Sequence, residues 1–122
     1  MTNQTGTSTV RRSGNKIIFS VEGWHTTKAA EECAAALIHY VTEFDGPVEF
    51  VADLRRITGF TVEARHFWQD SFKQTKHRIK LITLVQGSAI ARMTASAVGL
   101  YAGIKVRSVE SIDVALKTAK LG

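Results

Sequence analysis

Apolar residues along the chain alternate between short dense runs and helical spacings. Val10-Arg11-Arg12, Ser13-Gly14-Asn15 and Lys16-Ile17-Ile18-Phe19-Ser20-Val21 read as strand, Gly-containing turn and strand, a hairpin that Gly23 closes. Thr26 and Thr27 are set to cap a helix with Glu31 and Glu32 in its first turn. Ala30, Cys33, Ala34, Leu37, Val41 and Phe44 keep helical spacing until Asp45-Gly46-Pro47 stops it. Val48 to Leu54 is short and β-branched, which predicts a buried strand. Arg55 to Phe60 then reads as a loop, and Thr61 as the cap of a helix to about Lys76 whose Ala64, Trp68 and Phe72 share one apolar line.

Ile79 to Val85 is a second buried strand, ended by Gln86-Gly87. Ser88 opens a helix rich in Ala, Ser and Gly that Gly103 terminates. Ile104 to Arg107 alternates apolar and basic residues, as a self-protecting edge strand does. Ser111 caps a last helix with Ile112, Ala115, Leu116 and Ala119 on its buried stripe. The order β-β-α-β-α-β-α-β-α predicts an α/β fold: a mostly parallel sheet preceded by an N-terminal β-hairpin, with four helices.

The 122 residues amount to one domain, of which 44% is apolar, enough for a core and against wholesale disorder. Residues 1–9 are small and polar and read as a disordered leader, leaving 10–122 as the folded domain. The lone Cys33 excludes a disulfide scaffold and fits the cytoplasmic pattern; no signal-peptide core or membrane-length apolar run is visible.

The net charge of +5 raises the question of nucleic-acid binding until its distribution is read. Residues 1–54 carry net −3, residues 55–80 net +5 and residues 81–122 net +3. Within the basic block Glu63 and Asp70 interrupt Arg65, Lys73 and Lys76, while Trp68 and Phe72 belong to the apolar line. The pattern is that of a solvated helix face, and nucleic acid is a disfavoured partner.

Catalytic and cofactor chemistry find little footing. Cys33 stands on an apolar stripe, where a thiol is buried and inert. His66, Asp70 and His77 share the polar side of a helix without HExxH or CxxC spacing, so no metal is expected. Gly87-Ser88 at a strand-to-helix turn could hold an anion, but lacks any phosphate-loop pattern and reads as a turn and cap. No cofactor is expected. In the Ala/Ser/Gly helix, Ala89, Ala91, Ala95, Ser96, Ala97 and Gly99 allow close approach, read first as packing inside the domain.

The segment from Val51-Ala52-Asp53-Leu54-Arg55 through Thr61-Val62-Glu63-Ala64 resembles the strand, loop and helix start of the STAS domain, the fold of bacterial anti-sigma factor antagonists, with the pattern D-L-S-x-V-x-x-x-D-S-x-G. Asp53, Leu54, Ile57 and Ala64 carry the match. The element order and the later LITLVQGSAIARM, with Asp113, Ala115 and Leu116 in the last helix, agree with it. Asp53-Leu54-Arg55 and Arg92-Met93 are closer still to divergent STAS-like proteins of unassigned function.

The resemblance implies a non-enzymatic, regulatory protein-interaction module that meets partners through the loop and helix start from Arg55 to His66. In the family the Ser of the Asp-Ser pair is phosphorylated; here Thr61-Val62 aligns with it. Val62 has no hydroxyl; Thr61, one residue off, is read first as an N-cap and second as a candidate phosphosite. The expectation is that Arg55, Arg56, Thr58, Thr61 and Arg65 contact an acidic surface on a partner protein or on another copy of the chain. A small-ligand or lipid carrier with a cavity between helices and sheet is the second expectation.

Overall fold

Backbone pairing starts earlier than the side-chain pattern announces. A computed structural model describes residues 6–117. Its first strand, β1 (Gly6–Ser13), pairs antiparallel with β2 (Lys16–His25) from Gly6↔Gly23 to Ser13↔Lys16. Gly6 to Thr9, expected in a disordered leader, are therefore strand. Hydrogen bonding to β2 needs no large side chain there, and Gly6 is required: a Cβ would sit 2.5 Å from the carbonyl oxygens of Glu22 and Trp24.

The remaining elements are α1 (Thr27–Glu43), β3 (Val48–Phe60), α2 (Ala64–Thr75), β4 (Ile79–Val85), α3 (Ala89–Tyr101), β5 (Val106–Val109) and α4 (Ile112–Leu116). They form one sheet of order β1-β2-β3-β4-β5, parallel from β2 onward. This is the expected α/β architecture, hairpin first, with four helices among the described residues. Ala119, expected on the last buried stripe, lies outside them; Leu116, expected with it, is exposed, and Ala115 is the buried residue of α4.

Helix starts follow side-chain oxygen. Thr26, Ser88 and Ser111 each accept a hydrogen bond from the backbone N–H three residues on, capping α1, α3 and α4. Two expectations shift. Glu31 and Glu32 fall beyond the first turn of α1, too far along to complement its dipole fully. Thr61 caps nothing: a turn closes from Thr61 to Ala64, and α2 starts after Glu63, which gives no side-chain cap.

Val48 to Leu54 is buried as expected, but β3 does not end there. Arg55 to Phe60, expected as a loop, continues the strand beside Glu22 to His25, with register shifts in between. β4 is paired with β3 only as far as Asp53↔Val85, so β2 and β3 extend together past β4, with β1 beside β2 as far as Gly23. Trp24 packs on Gly59, where a Cβ would come within 2.2 Å of the indole ring.

The three long helices share one face of the sheet. Ala30, Leu37 and Val41 of α1, Ala64, Trp68 and Phe72 of α2, and Ala91 and Val98 of α3 join Ile17, Phe19, Phe50, Ile82 and Leu84 in one core. The opposite face has a smaller cluster of Ile18, Val51 and Val85 under Ala115 and Ile112.

That second face also carries a buried ionic group. Glu49, fully buried, accepts from Lys16 Nζ at 2.5 Å, from the Thr83 hydroxyl and from Arg107 Nη2 at 3.2 Å. Lys16 is its direct cross-strand neighbour, and Arg107 stands opposite Thr83. Arg107, expected to point outward on an edge strand, instead reaches inward across the sheet. Removing the carboxylate strands cations that lost their hydration on folding. Glu49→Ala is expected to cost about 3–5 kcal/mol, whereas replacing the whole group, Lys16→Met, Glu49→Leu and Arg107→Met together, stays within about 2 kcal/mol of wild type, both read by urea denaturation.

Candidate functional site

The β2–β3 extension and the start of α2 gather the residues expected to bind a partner. Arg55, Arg56 and Thr58 are exposed on the end of β3, and Arg65 is exposed in the first turn of α2. Their charges are not equally free. Arg55 forks onto Asp53, Nε to Oδ1 at 2.9 Å and Nη2 to Oδ2 at 2.8 Å, which holds the Asp53 carboxyl below its usual range. Arg56 reaches Glu22 at 3.4 Å, with both side chains well exposed. Arg65 is in no ion pair among the described residues.

Thr61 stands at the corner between β3 and α2, half-buried. Its hydroxyl is 2.7 Å from that of Thr27, the first residue of α1, and its backbone N–H donates to the His25 carbonyl. Val62 beside it is 63% exposed. Thr61 thus faces the N-terminus of α1 rather than that of its own helix.

Beneath this corner lies His25, which is buried and carries no recognisable pattern in the sequence. The Trp68 indole N–H donates to His25 Nε2 at 2.9 Å; Nδ1 therefore holds the proton and faces Ser8 Oγ, also at 2.9 Å. Phe19 and Trp68 pack against the imidazole. Burial among these rings pushes its pKa down to about 4.

A cavity of about 80 Å³ opens next to His25, between the sheet, α2 and α3. Phe19, Phe50, Trp68 and Leu84 form its floor and one wall, Ala91 and Ala95 the opposite wall, and Arg65 lines it from the exposed side. The volume follows from the residues: large rings lie on β2, β3 and α2, while α3 offers only the small side chains of Ala91, Thr94, Ala95 and Val98 across from them. Close helix packing, expected of the small residues, is realised further along, where Gly99 approaches Val106 and Ile82 so nearly that a Cβ would lie 2.7 and 2.8 Å from them.

A second, more polar groove runs past the C-terminal ends of β3, β4 and β5, lined by Arg55, Ile57, Gly87, Ser88, Arg92 and Glu110. Gln86 (φ 53°) and Gly87 (φ 94°) turn the chain there in the left-handed region. Strand order never reverses in this sheet, so topology opens no switch-point crevice for a nucleotide. Ser88 is occupied as the cap of α3.

Other candidates stay apart. His66, Asp70 and His77 are exposed, and no group of three His, Cys, Asp or Glu that could hold a metal occurs among the described residues. Cys33 is buried, with its pKa pushed up to about 11 by desolvation and by Glu32, and remains a thiol at neutral pH. With both ring nitrogens of His25 engaged, neither residue supplies a nucleophile or a general base. No helix among the described residues is long and apolar enough to cross a membrane.

The architecture is shared with solved structures. An uncharacterised protein of the DUF3478 family with a SpoIIAA-like fold from Shewanella loihica matches with a TM-score of 0.72 at 13% identity, over 95% of this chain and 96% of its own. The Bacillus cell fate determinant SpoIIAA in its phosphorylated form matches at 0.65 and 11%, over 90% and 96%. An anti-sigma factor antagonist from Mycobacterium paratuberculosis matches at 0.61 and 16%, over 94% of each chain. No family model and no curated protein sequence matches the chain. The chain has the STAS-like, SpoIIAA-like fold.

The depressed pKa of His25 has a stability consequence of definite sign. The unfolded imidazole takes up a proton near pH 6.5 and the folded one only near 4, so stability is complete above pH 6.5 and falls between pH 6.5 and 4. The loss reaches about 3 kcal/mol at pH 4. Urea midpoints measured at pH 7 and pH 4.5 are expected to differ by much less in His25→Asn than in wild type.

Proposed function

We propose that the chain is a regulatory protein-interaction module that presents Arg55, Arg56, Thr58, Thr61 and Arg65 to an acidic surface of a partner protein. The observation that supports this most is the placement of exposed arginines at the end of β3 and the start of α2, on a fold shared with SpoIIAA and an anti-sigma factor antagonist. No catalytic step is needed for this role.

The ion pairs rank the arginines. Arg55 shares its charge with Asp53 and Arg56 with Glu22, so Arg65 has the most to gain from an incoming carboxylate. Cross-linking pull-downs from the native host are expected to recover an acidic partner with wild type and about tenfold less with Arg65→Glu, the Arg56→Glu effect being smaller. Recovery of the same partners in the same amount by Arg65→Glu and by Arg55→Glu/Arg56→Glu would sink the reading.

Thr61 is the phosphosite of this proposal. Phosphorylation exchanges the hydroxyl contact with Thr27 for a dianion at the N-terminal end of α1, where the helix dipole and free N–H groups favour it. The switch then differs in place from the Asp-Ser pair of the family pattern, because Val62 cannot serve.

The cavity favours a second reading, a carrier of a small apolar ligand with its polar end toward Arg65. Native mass spectrometry of the purified chain is expected to show a bound mass that Ala95→Phe, which fills the cavity, excludes. Absence of any adduct in wild type counts against the carrier and leaves the interaction reading intact.

A further inference from the structure

Helix α3 has two apolar sides, and the sheet covers only one. At 100° per residue, Ala91, Val98, Gly99 and Ala102 cluster around one direction and face the core. Ile90, Met93, Ala97 and Leu100 cluster about 160° away, in solvent. Ile90 and Met93 are each 70% exposed, and Leu100 and the neighbouring Tyr101 each 63%. The arrangement is inverted relative to a surface helix of a globular domain, which keeps small or polar residues outside.

The outer stripe has the spacing of a helix-pairing seam. Ile90, Met93, Ala97 and Leu100 are separated by three, four and three residues, the a and d positions of a heptad. No charged residue stands in it. Arg92 projects well to one side, and Lys73 from α2 sits 5.1 Å above the ring of Tyr101 at the margin.

We propose that the outer face of α3 is a homodimer interface in which two copies pair antiparallel about a two-fold axis that passes between Met93 and Ala97. The surface is self-complementary in that register. Residues facing each other across an antiparallel pair there sum to 190, so Met93 of each copy lies over Ala97 of the other, a long side chain over a methyl group, and Ile90 meets Leu100. Parallel pairing would set Met93 against Met93 and leave a gap between two alanines. The uncharged seam brings no like charges into contact, whereas an acidic partner would find no cation on the stripe to pair with.

Area sets the strength. The exposed parts of these side chains leave on the order of 450 Å² per copy, hence about 900 Å² together, close to the ~1,000 Å² at which specific interfaces begin. The dimer is therefore concentration-dependent, and it is distinct from the arginine surface of the proposed regulatory role.

Sedimentation velocity on the full chain from about 5 to about 500 µM is expected to show a monomer–dimer equilibrium, and Met93→Glu to raise its dissociation constant by about a hundredfold. Met93 is exposed, so circular dichroism and the urea midpoint of Met93→Glu match wild type. A mixture of Met93→Cys and Ala97→Cys chains is expected to form a disulfide-linked heterodimer in higher yield than either chain alone; buried Cys33 does not interfere. A monomer throughout the range, a dimer indifferent to Met93→Glu, or equal cross-linking by either cysteine chain alone overturns the proposal. So does a monomer that sediments with phosphatidylglycerol vesicles through the same residues, which would assign the stripe to a lipid surface.

Discussion

All three long helices must share one face of the sheet, and most of the molecule follows from that. Successive parallel crossovers of one hand leave the chain no other choice while the strand order stays sequential. The helical side consequently holds the main core, while α4 and the ionic row around Glu49 occupy the other. The aromatic side chains divide unequally along the helical side: Phe19, Phe50, Trp68 and Phe72 gather under α2, and α3 turns only small side chains, Ala91, Val98 and Gly99 among them, to the core. A cavity at the α3 end is the geometric remainder of that division, and so is a helix whose large apolar residues point outward.

The same constraint explains how the candidate site is built. β2 and β3 are interior strands, and they continue beyond β4 and β5 because their backbones go on pairing after the alternation of buried and exposed side chains has faded. Arg55, Arg56 and Thr58 ride on that extension, so a strand rather than a flexible loop presents them. Preorganised in this way, the arginines lose less conformational freedom on meeting a partner than loop residues would. His25 closes the arrangement from below, joining Ser8 of β1 to Trp68 of α2 through one imidazole and so tying the edge strand to the helical layer.

Periodicity announced what side-chain burial alone determines. The order of elements, the caps at Thr26, Ser88 and Ser111 and the line Ala64, Trp68, Phe72 were all legible, because each rests on local residue choice. Where backbone pairing decides, the pattern was silent. Gly6 to Thr9 and Arg55 to Phe60 look like tail and loop because their side chains bury little, yet β2 supplies both with hydrogen-bond partners. The Thr61 cap failed for a related reason: its hydroxyl found Thr27, which is 34 residues away. Long-range polar partners such as Lys16 with Glu49, or His25 with Trp68, have no local signature at all.

Charge sharpens this into a distinction between the two exposed faces. The basic block beginning at Arg55 looked uniform as a count, but folding pairs Arg55 and Arg56 with acids from the otherwise acidic first half and leaves Arg65 without such a partner among the described residues. In the proposed role, the specificity of that face for an anionic surface therefore rests on few groups. The outer face of α3, by contrast, has no charge to pair, and the dimer proposed for it rests on shape alone, a methyl group opposite a thioether. Two surfaces with such different physics respond differently to salt: screening weakens the first and leaves the second nearly untouched. A chain that uses both thus has one contact tuned by charge, and by any phosphate placed at Thr61, and another governed by its own concentration.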